Sequence, residues 1–366
     1  MMPAALKLSL HQHRLHRLKK GGVFICILQH KTLSAIIKWM VSEITFGRGR
    51  GVVSDAKTYT EEYVPLNGIN QYFLHYPSPT HKEVILHLHG GPGSSAANFT
   101  HALSPHWDFC NVVYYDQRGA GRTQKKNKSR PEDLTIETLI ADLKETISYI
   151  KQKYETDRVI LMGQSWGTIL GTQYALKYPE DIICYIGTGH CVDTRREMKI
   201  IYDKLKETIE NKGNKRDVKR ITKLQNLPYM KVDDKDYVAS ETIFFFLRTK
   251  HGLTLKTGAL LKLLFKSPIF RISDLLLMIK APKLNIKLMK WQTDYSVWDT
   301  TEYSVPIFYL LGTDDWQTPS TLAAKYFEKI NAPQKKLYWI KNAGHATDVD
   351  NPIDFYNSVK DIIAKL

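Results

Sequence analysis

One serine lies between two glycines where a strand-like apolar run stops. The run covers residues 158–162, and Gly163-Gln164-Ser165-Trp166-Gly167 follows it. A serine hydroxyl is a weak nucleophile, so it needs an adjacent base and a helix start whose amides face developing negative charge. The two glycines permit the sharp strand-to-helix turn that holds such an oxygen clear of a sheet. The pattern predicts a nucleophilic Ser165; taken alone, it also fits a glycine-bounded connection without chemistry.

A glycine-rich loop lies upstream of this serine. The apolar run 84–88 reads as a buried strand and leads into His89-Gly90-Gly91-Pro92-Gly93. Glycines let backbone N–H groups approach a reacting oxygen closely. We predict that the amides of Gly91 and Trp166 form an oxyanion hole, in which each preset donor is commonly worth roughly 3–4 kcal/mol.

Two aspartates follow a later apolar run. Residues 305–311 lead into Gly312-Thr313-Asp314-Asp315. Either carboxylate could orient a catalytic histidine. We select Asp315, because a carboxylate just past a strand end can turn inward, whereas Asp314 would face solvent or cap the turn.

The last strand-like run, residues 336–340, leads to Asn342-Ala343-Gly344-His345. We predict that His345 takes the Ser165 proton, is held in the correct tautomer by Asp315, and returns the proton to the leaving group. The other twelve of the 13 histidines are expected to be solvated or to pack in the interior.

Taken together, these motifs resemble the proline iminopeptidase branch of the α/β-hydrolases. The resemblance rests on HGGPG at 89–93, DQRGAGRT at 116–123, GQSWG at 163–167, GTDD at 312–315 and GH at 344–345, and it covers residues 57–366 except much of 194–302. It implies a triad of Ser165, Asp315 and His345, and removal of an N-terminal residue, often proline, from short peptides. The 116–123 segment is interpreted as a tight turn braced by an ion pair between Asp116 and Arg118, and not as catalytic.

The sequence differs from the best-known prolyl enzymes in two features. The residue before the nucleophile is Gln164, where those enzymes tend to carry glycine, and a tryptophan-glutamate pattern used by some of them to bind the substrate ammonium is missing. An ammonium taken out of water needs an acidic partner. Glu241, which precedes the aromatic run 244–246, is the candidate; a solvent-facing helix glutamate is the alternative.

The alternation of strands and helices predicts an α/β-hydrolase fold with a mostly parallel, eight-stranded sheet. Two opening strands look like a hairpin around Asn67-Gly68. The predicted divisions are a basic N-terminal extension (1–50), a first core part (51–193), a helical lid that shapes the substrate pocket (194–303) and a second core part (304–366).

The net charge of +15 is unevenly distributed. Residues 1–50 carry +8, residues 194–303 carry +10, and the remainder carries −3. Because no nucleic-acid-binding signature is present, we do not expect a nucleic acid partner. The positive lid favours anionic substrates or a membrane surface, or is simply a solvated lysine-rich face.

The four cysteines, Cys26, Cys110, Cys184 and Cys191, show no metal-ligand spacing. Cys110 and Cys184 fall at predicted buried strands, as expected of free thiols in a reducing cytoplasm. No metal or organic cofactor is implied, and the sequence does not indicate an oligomeric state.

The first fifty residues contain no apolar run long enough to span a membrane. Six apolar residues lie on one helical face, so docking to a membrane surface is one interpretation. The alternatives are a mobile tail or an over-long predicted start, with Met40 as the initiator. The six residues are Leu33, Ile36, Ile37, Met40, Val41 and Ile44.

The leading hypothesis is a cytoplasmic serine aminopeptidase that acts on short peptides through an acyl-enzyme on Ser165. A carboxylesterase with the same triad is the first alternative, and an anionic site for a substrate ammonium would distinguish the two. A non-catalytic scaffold is disfavoured, because it has no need of a nucleophile, a base and an acid together. Hydrolases with an aspartate nucleophile are disfavoured by Ser165.

Overall fold

The structure, a computed structural model, describes residues 59–103, 107–233, 235–254 and 263–366. The basic extension, its membrane-docking interpretation and Cys26 lie outside these residues. Within them, no helix combines the length and apolar character that crossing a membrane requires.

The described chain opens with the predicted hairpin. Strands β1 (Thr60–Leu66) and β2 (Ile69–Tyr76) pair antiparallel, with Leu66 opposite Ile69. The two residues between them, Asn67 and Gly68, have φ values of 44° and 76°. Positive φ at both turn positions suits the right-handed twist of paired strands, and asparagine and glycine tolerate it best.

Six further strands complete one sheet. They are β3 (Val84–Leu88), β4 (Asn111–Tyr115), β5 (Val159–Gln164), β6 (Ile182–Thr188), β7 (Ile307–Gly312) and β8 (Lys335–Ile340). Of these, β3, β5, β7 and β8 lie close to the apolar runs 84–88, 158–162, 305–311 and 336–340. The spatial order is β1-β2-β4-β3-β5-β6-β7-β8, and β3 to β8 run parallel. The α/β-hydrolase fold prediction is confirmed. Since the parallel strands end at one edge, the loops after them meet there.

Helices cover both faces of the sheet and fill the long connections. In chain order they are α1 (Thr100–Leu103), α2 (Gly121–Asn127), α3 (Ile136–Lys153), α4 (Trp166–Lys177), α5 (Thr194–Asn211), α6 (Lys215–Thr222), α7 (Tyr237–Lys250), α8 (Ile272–Leu284), α9 (Ile286–Thr293), α10 (Ser320–Lys329), α11 (Thr347–Asp350) and α12 (Pro352–Ile363).

The central strands are apolar on both sides because each side packs in a core. In β3, Val84, Leu86 and Leu88 belong to one apolar cluster, while Ile85 belongs to the cluster on the opposite face. Successive side chains of a strand point to opposite faces, so a doubly covered strand reads as a continuous apolar run. Full burial of each such side chain contributes about 1.5–3 kcal/mol, which fixes the strand ends that carry the site.

The segment between β6 and β7, residues 194–303, is called the inserted segment below. Its described residues contain α5 to α9, and they build a third apolar cluster around Ile201, Leu205 and Phe244. Trp316, from the loop after β7, packs against that cluster. The role of this segment as a lid stays a prediction.

Candidate active site

Ser165 occupies a strained turn between β5 and α4. Its φ is 53° and its ψ is −121°, which non-glycine residues rarely adopt. A Cβ at Gly163 would lie 2.6 Å from the Gly167 carbonyl oxygen, and one at Gly167 would collide with the Leu88 carbonyl. The turn therefore needs both glycines. Such strain is characteristic of a serine presented for chemistry.

The loop 89–93 lies directly against this serine. A Cβ added at Gly90 would lie 3.2 Å from the Ser165 Cβ and 3.8 Å from Oγ. Gly91, the next residue, has a φ of 131°, and a Cβ there would lie 2.5 Å from the Gly93 nitrogen. The backbone of this loop can thus approach an oxygen bound at Ser165.

The second predicted donor, the Trp166 amide, belongs to the residue directly after Ser165. Trp166 is the first residue of α4, and Ser165 is its N-cap. The first amides of a helix have no partner within the helix and carry its partial positive charge. The two amides predicted to form the oxyanion hole therefore belong to segments that both border Ser165.

Asp315 and His345 form a buried pair. Oδ2 of Asp315 lies 2.9 Å from His345 Nδ1, and the two residues are only 4% and 7% exposed. Asp315 Oδ1 accepts hydrogen bonds from the amides of Gln317 (2.8 Å) and Thr318 (3.1 Å), and Oδ2 accepts one from Thr318 Oγ1 (2.9 Å). Burial alone raises the pKa of Asp315, but the His345 charge and these hydrogen bonds outweigh it and lower that pKa. The carboxylate is held ionised and fixed in direction.

Asp314 has a different environment. It is exposed, and its Oδ2 accepts a hydrogen bond from Thr313 Oγ1 at 3.2 Å. Of the two adjacent carboxylates, only Asp315 contacts His345 among the described residues.

The serine and the histidine meet at the end of β6. The Ser165 amide donates to the Thr188 carbonyl at 3.0 Å. A Cβ at the next residue, Gly189, would lie 2.9 Å from both Cε1 and Nδ1 of His345. Among the described residues His345 Nε2 is buried without a hydrogen-bond partner, so no bond to Ser165 Oγ is formed in this conformation. Such catalytic bonds are often long in unliganded enzymes and tighten when substrate binds.

A second carboxyl group lies within electrostatic range of the pair. Glu197, in the first turn of α5, accepts hydrogen bonds from the amides of Val192 (2.6 Å) and Asp193 (3.4 Å). Burial, together with the charges of Asp193 and Asp315, raises the pKa of Glu197 to about 8 despite these bonds. Glu197 is therefore mostly neutral at pH 7 and adds little negative charge next to Asp315.

The interpretation of the 116–123 segment needs a correction. Arg118 does not pair with Asp116: its Nε and Nη2 donate to the two oxygens of Asp142, both at 2.7 Å. Asp116 Oδ2 instead accepts from the Arg122 amide at 2.6 Å. Arg118 binds Asp142 of α3 in preference to Asp116, because both oxygens of Asp142 accept from the guanidinium group in a bidentate geometry.

Sequence reasoning missed the residue of that segment that contacts the site. Gln117 Oε1 accepts from Trp166 Nε1 at 3.1 Å, and Gln117 Nε2 donates to the His89 carbonyl at 2.9 Å. His89, expected to be solvated or simply packed, also accepts from the Gln117 amide. Thr318 was missed as well. The position of Gln117 inside the 116–123 motif was the available signal, but glutamine carries no titratable group to draw attention to it.

Glu241 lies on α7 and is partly buried. Its Oε2 is inaccessible to solvent and has no hydrogen-bond partner among the described residues. Burial raises the pKa of Glu241, and the nearby Arg248 charge partly opposes this. A carboxyl oxygen in this state does not fit the solvent-facing alternative. In the aromatic run 244–246, Phe244 is buried in the segment's own cluster and Phe246 is 55% exposed.

Comparison with known proteins supports the fold. A family model described as alpha/beta hydrolase fold matches residues 83–209. YbaC, a probable aminopeptidase of Bacillus subtilis (strain 168), is 23% identical over 309 residues, covering 82% of this chain and 92% of that protein. A proline iminopeptidase of Heyndrickxia coagulans is 24% identical over 315 residues, covering 83% of this chain and 99% of that protein. The crystal structure of a proline iminopeptidase-related protein from Thermus thermophilus superposes with a TM-score of 0.55 at 21% identity, covering 84% of this chain and 98% of that one.

The chain therefore has the fold of the α/β-hydrolases. Within them it is similar to proline iminopeptidases, as its motifs predicted, and it is a hydrolase.

Proposed function

We propose that the protein is a serine aminopeptidase of proline iminopeptidase type, with Ser165 as nucleophile, His345 as base and Asp315 as the orienting acid. The observation that carries the proposal is the buried Asp315–His345 pair and its position next to Ser165. The His345 ring packs on Gly189, and the carbonyl of the preceding residue, Thr188, accepts a hydrogen bond from the Ser165 amide. Similarity to enzymes named as aminopeptidases supports the choice of peptide substrates.

The reaction follows from these positions. Ser165 Oγ attacks the carbonyl carbon of the N-terminal residue while His345 Nε2 takes its proton, and the amides of Gly91 and Trp166 bind the resulting oxyanion. Protonated His345, stabilised by Asp315, then donates to the leaving amine, and an acyl-enzyme remains. Water repeats the sequence through His345 and releases the free amino acid.

Substrate selection is assigned to the inserted segment acting as a lid over the carboxyl edge of the sheet. We propose that Glu241 receives the substrate ammonium. The unpartnered, buried Oε2 supports this role, because a cation would satisfy it and lower its raised pKa. Cys184 and Cys191 are buried free thiols, which fits the proposed cytoplasmic location.

The mechanism is tested with a fluorophosphonate probe on the full chain. Wild type is expected to be labelled and Ser165→Ala is not. Equal labelling of the two proteins, with folding checked by circular dichroism, would remove the serine mechanism.

The substrate class is tested with proline and alanine p-nitroanilides and short p-nitrophenyl esters, compared between about pH 6 and 9 to cover a histidine base. Anilide cleavage is expected. Ester turnover without anilide cleavage would replace the peptidase by the carboxylesterase alternative and leave the triad in place.

A further inference from the structure

The two proposed oxyanion donors come from different parts of the chain, so something must hold them at a fixed separation. Gly91 belongs to the loop after β3, and Trp166 begins the helix after β5. Oxyanion stabilisation requires donors preset about 2.7–3.1 Å from the position of the charged oxygen. A relative shift of the two segments would spoil that geometry without changing either donor.

One side chain bridges the two segments. Gln117 Oε1 accepts a hydrogen bond from the Trp166 indole Nε1 at 3.1 Å, and its Nε2 donates to the His89 carbonyl at 2.9 Å. Gln117 is 3% exposed, and Trp166 and His89 are 0% and 1% exposed. Both ends of one planar amide group are thus used in a site shielded from water, where hydrogen bonds are most directional.

The bridge continues through the His89 ring to the Gly91 amide. The Gln117 amide donates to His89 Nε2 at 3.0 Å, and the opposite ring nitrogen, Nδ1, lies 2.8 Å from the Gly90 carbonyl oxygen. Burial lowers the pKa of His89, so the ring is neutral and carries one proton. Since Nε2 accepts, the proton is on Nδ1 and is donated to Gly90.

This bond fixes the direction of the proposed donor. In a planar trans peptide the N–H points opposite to the C=O. Holding the Gly90 carbonyl toward His89 therefore turns the Gly91 N–H away from His89. Gln117 acts on the Gly91 donor through His89, and on the Trp166 donor through the indole of the same residue.

We propose that Gln117 is a positioning residue for the oxyanion hole: it sets the geometry of both donor amides without touching the substrate. The proposal rests on the proposed serine mechanism. It assigns to Gln117 an effect on the charged transition state and none on substrate binding.

The test compares Gln117→Met, which removes both side-chain hydrogen bonds at similar volume, with Gln71→Met. Gln71 is also buried, and its Nε2 donates to the Asp116 carbonyl at 3.4 Å, but it does not contact His89 or Trp166 among the described residues. We expect Gln117→Met to lower kcat by about 10- to 100-fold, less than deletion of a whole donor. KM is expected to stay within about twofold, and Gln71→Met is expected to keep the wild-type kcat.

A boronic acid analogue of the substrate separates positioning from general destabilisation. It forms a tetrahedral adduct on Ser165, so its affinity is expected to fall in parallel with kcat, whereas the affinity for the product amino acid stays unchanged. If Gln117→Met lowers only the melting temperature, as is expected of Gln71→Met, the proposal is wrong.

Trp166→Phe provides a second variant if Gln117→Met does not fold. It removes the indole donor together with part of the buried ring, and a fall in kcat at constant KM is expected; an unchanged kcat would contradict the proposal. In the double variant the combined loss should be smaller than the product of the single losses, because both changes break one bridge. Failure of wild type to react with fluorophosphonate would instead reject the serine mechanism itself.

Discussion

The carboxyl edge of the sheet and the inserted segment hold their functional groups in different ways. At the edge, Ser165, Asp315 and His345 are fixed by backbone contacts: glycines that admit no Cβ, and amides that bind a carboxylate. The inserted segment has its own apolar cluster and a net charge of +10, whereas the combined core parts carry −3. The geometry proposed for bond cleavage is thus built into short motifs, while the groups proposed to select substrates depend on how helices pack.

The two regions are joined by a few specific contacts. Arg248 of α7 donates to the Trp316 carbonyl at 3.1 Å, next to Asp315. Arg122 of α2 donates to the Ile269 carbonyl at 2.5 Å, and the Trp291 ring packs edge-on against Trp166 at 6.4 Å. Each contact ends on or beside a site motif. Substitutions in the two regions can therefore be compared by whether they change kcat or kcat/KM.

The largest effect is expected from the acid at the edge of the sheet. Asp315→Asn keeps the shape but removes the charge that stabilises protonated His345, so kcat should fall by about 10³- to 10⁴-fold. Asp314→Asn is the matched control and should retain nearly full activity, since Asp314 is exposed. Steady-state kinetics of both variants distinguishes the two carboxylates, and the reverse result would move the acid to Asp314.

The next largest effect is expected at Gly189, which contacts the ring of the proposed base, His345. Gly189→Ala would put a Cβ against the His345 ring, and we expect about a 100-fold fall in kcat, the size of loss that a displacement of about 1 Å can cause. The control is Gly213→Ala in the inserted segment, where φ is 65° and nothing lies within 4 Å of the added Cβ.

Both glycine variants carry the strain of a positive φ, of order 1 kcal/mol. Both should therefore lower the thermal midpoint in a melting experiment, but only Gly189→Ala should lose activity. An equal loss of activity in the two variants would mean that stability, and not the position of His345, determines the rate.

A smaller effect is expected in the inserted segment. Glu241→Gln should lower kcat/KM for amino acid p-nitroanilides by about tenfold, because a charge-assisted hydrogen bond to the substrate ammonium would be lost. Neutral p-nitrophenyl esters should be hydrolysed as before. Glu210→Gln, an exposed change on α5, is the control, and an equal loss on anilides and esters would remove the ammonium-binding role.

The smallest effect on turnover is expected at Glu197. Because its folded pKa of about 8 lies above the unfolded value near 4.5, the folded state binds the extra proton, and stability falls as pH rises from about 4.5 to 8. Glu197→Gln can keep the bonds from the Val192 and Asp193 amides and should remove that fall. The gain at pH 9 should reach several kcal/mol, because each pKa unit of difference is worth about 1.4 kcal/mol. Urea unfolding at about pH 5 and 9 measures it, and a pH-independent difference would contradict the assignment.

Residues with strict backbone requirements were the easiest to find from the sequence. The Asn67-Gly68 turn, the glycines around Ser165 and the apolar strands each have few conformations that suit them, so their patterns specified the hairpin, the turn and the sheet. The partner of Arg118 was not predictable in this way. Asp142 lies 24 residues further along the chain, and only the packing of α3 brings it close.

Side chains with no titratable group were the hardest to recognise. The hydrogen bonds of Gln117 depend on loops from three strands meeting at one edge, and the contact of Thr318 Oγ1 with His345 Nδ1 at 3.1 Å joins the loops after β7 and β8. Local sequence favours none of these pairings over solvent exposure. In the same way, the burial of the Glu241 oxygen depends on neighbours of α7 and not on the residues beside it in the chain.

The sequence by itself determined the order of strands and helices, the strained turn at Ser165 and the identity of the acid and base candidates, because glycine spacing and apolar runs act locally. Tertiary structure decided which groups touch: His345 against Gly189, Asp142 with Arg118, and Gln117 between His89 and Trp166. Hydrogen bonds between distant segments form only after the sheet has aligned the loops at its carboxyl edge, and that alignment results from burial of the whole core.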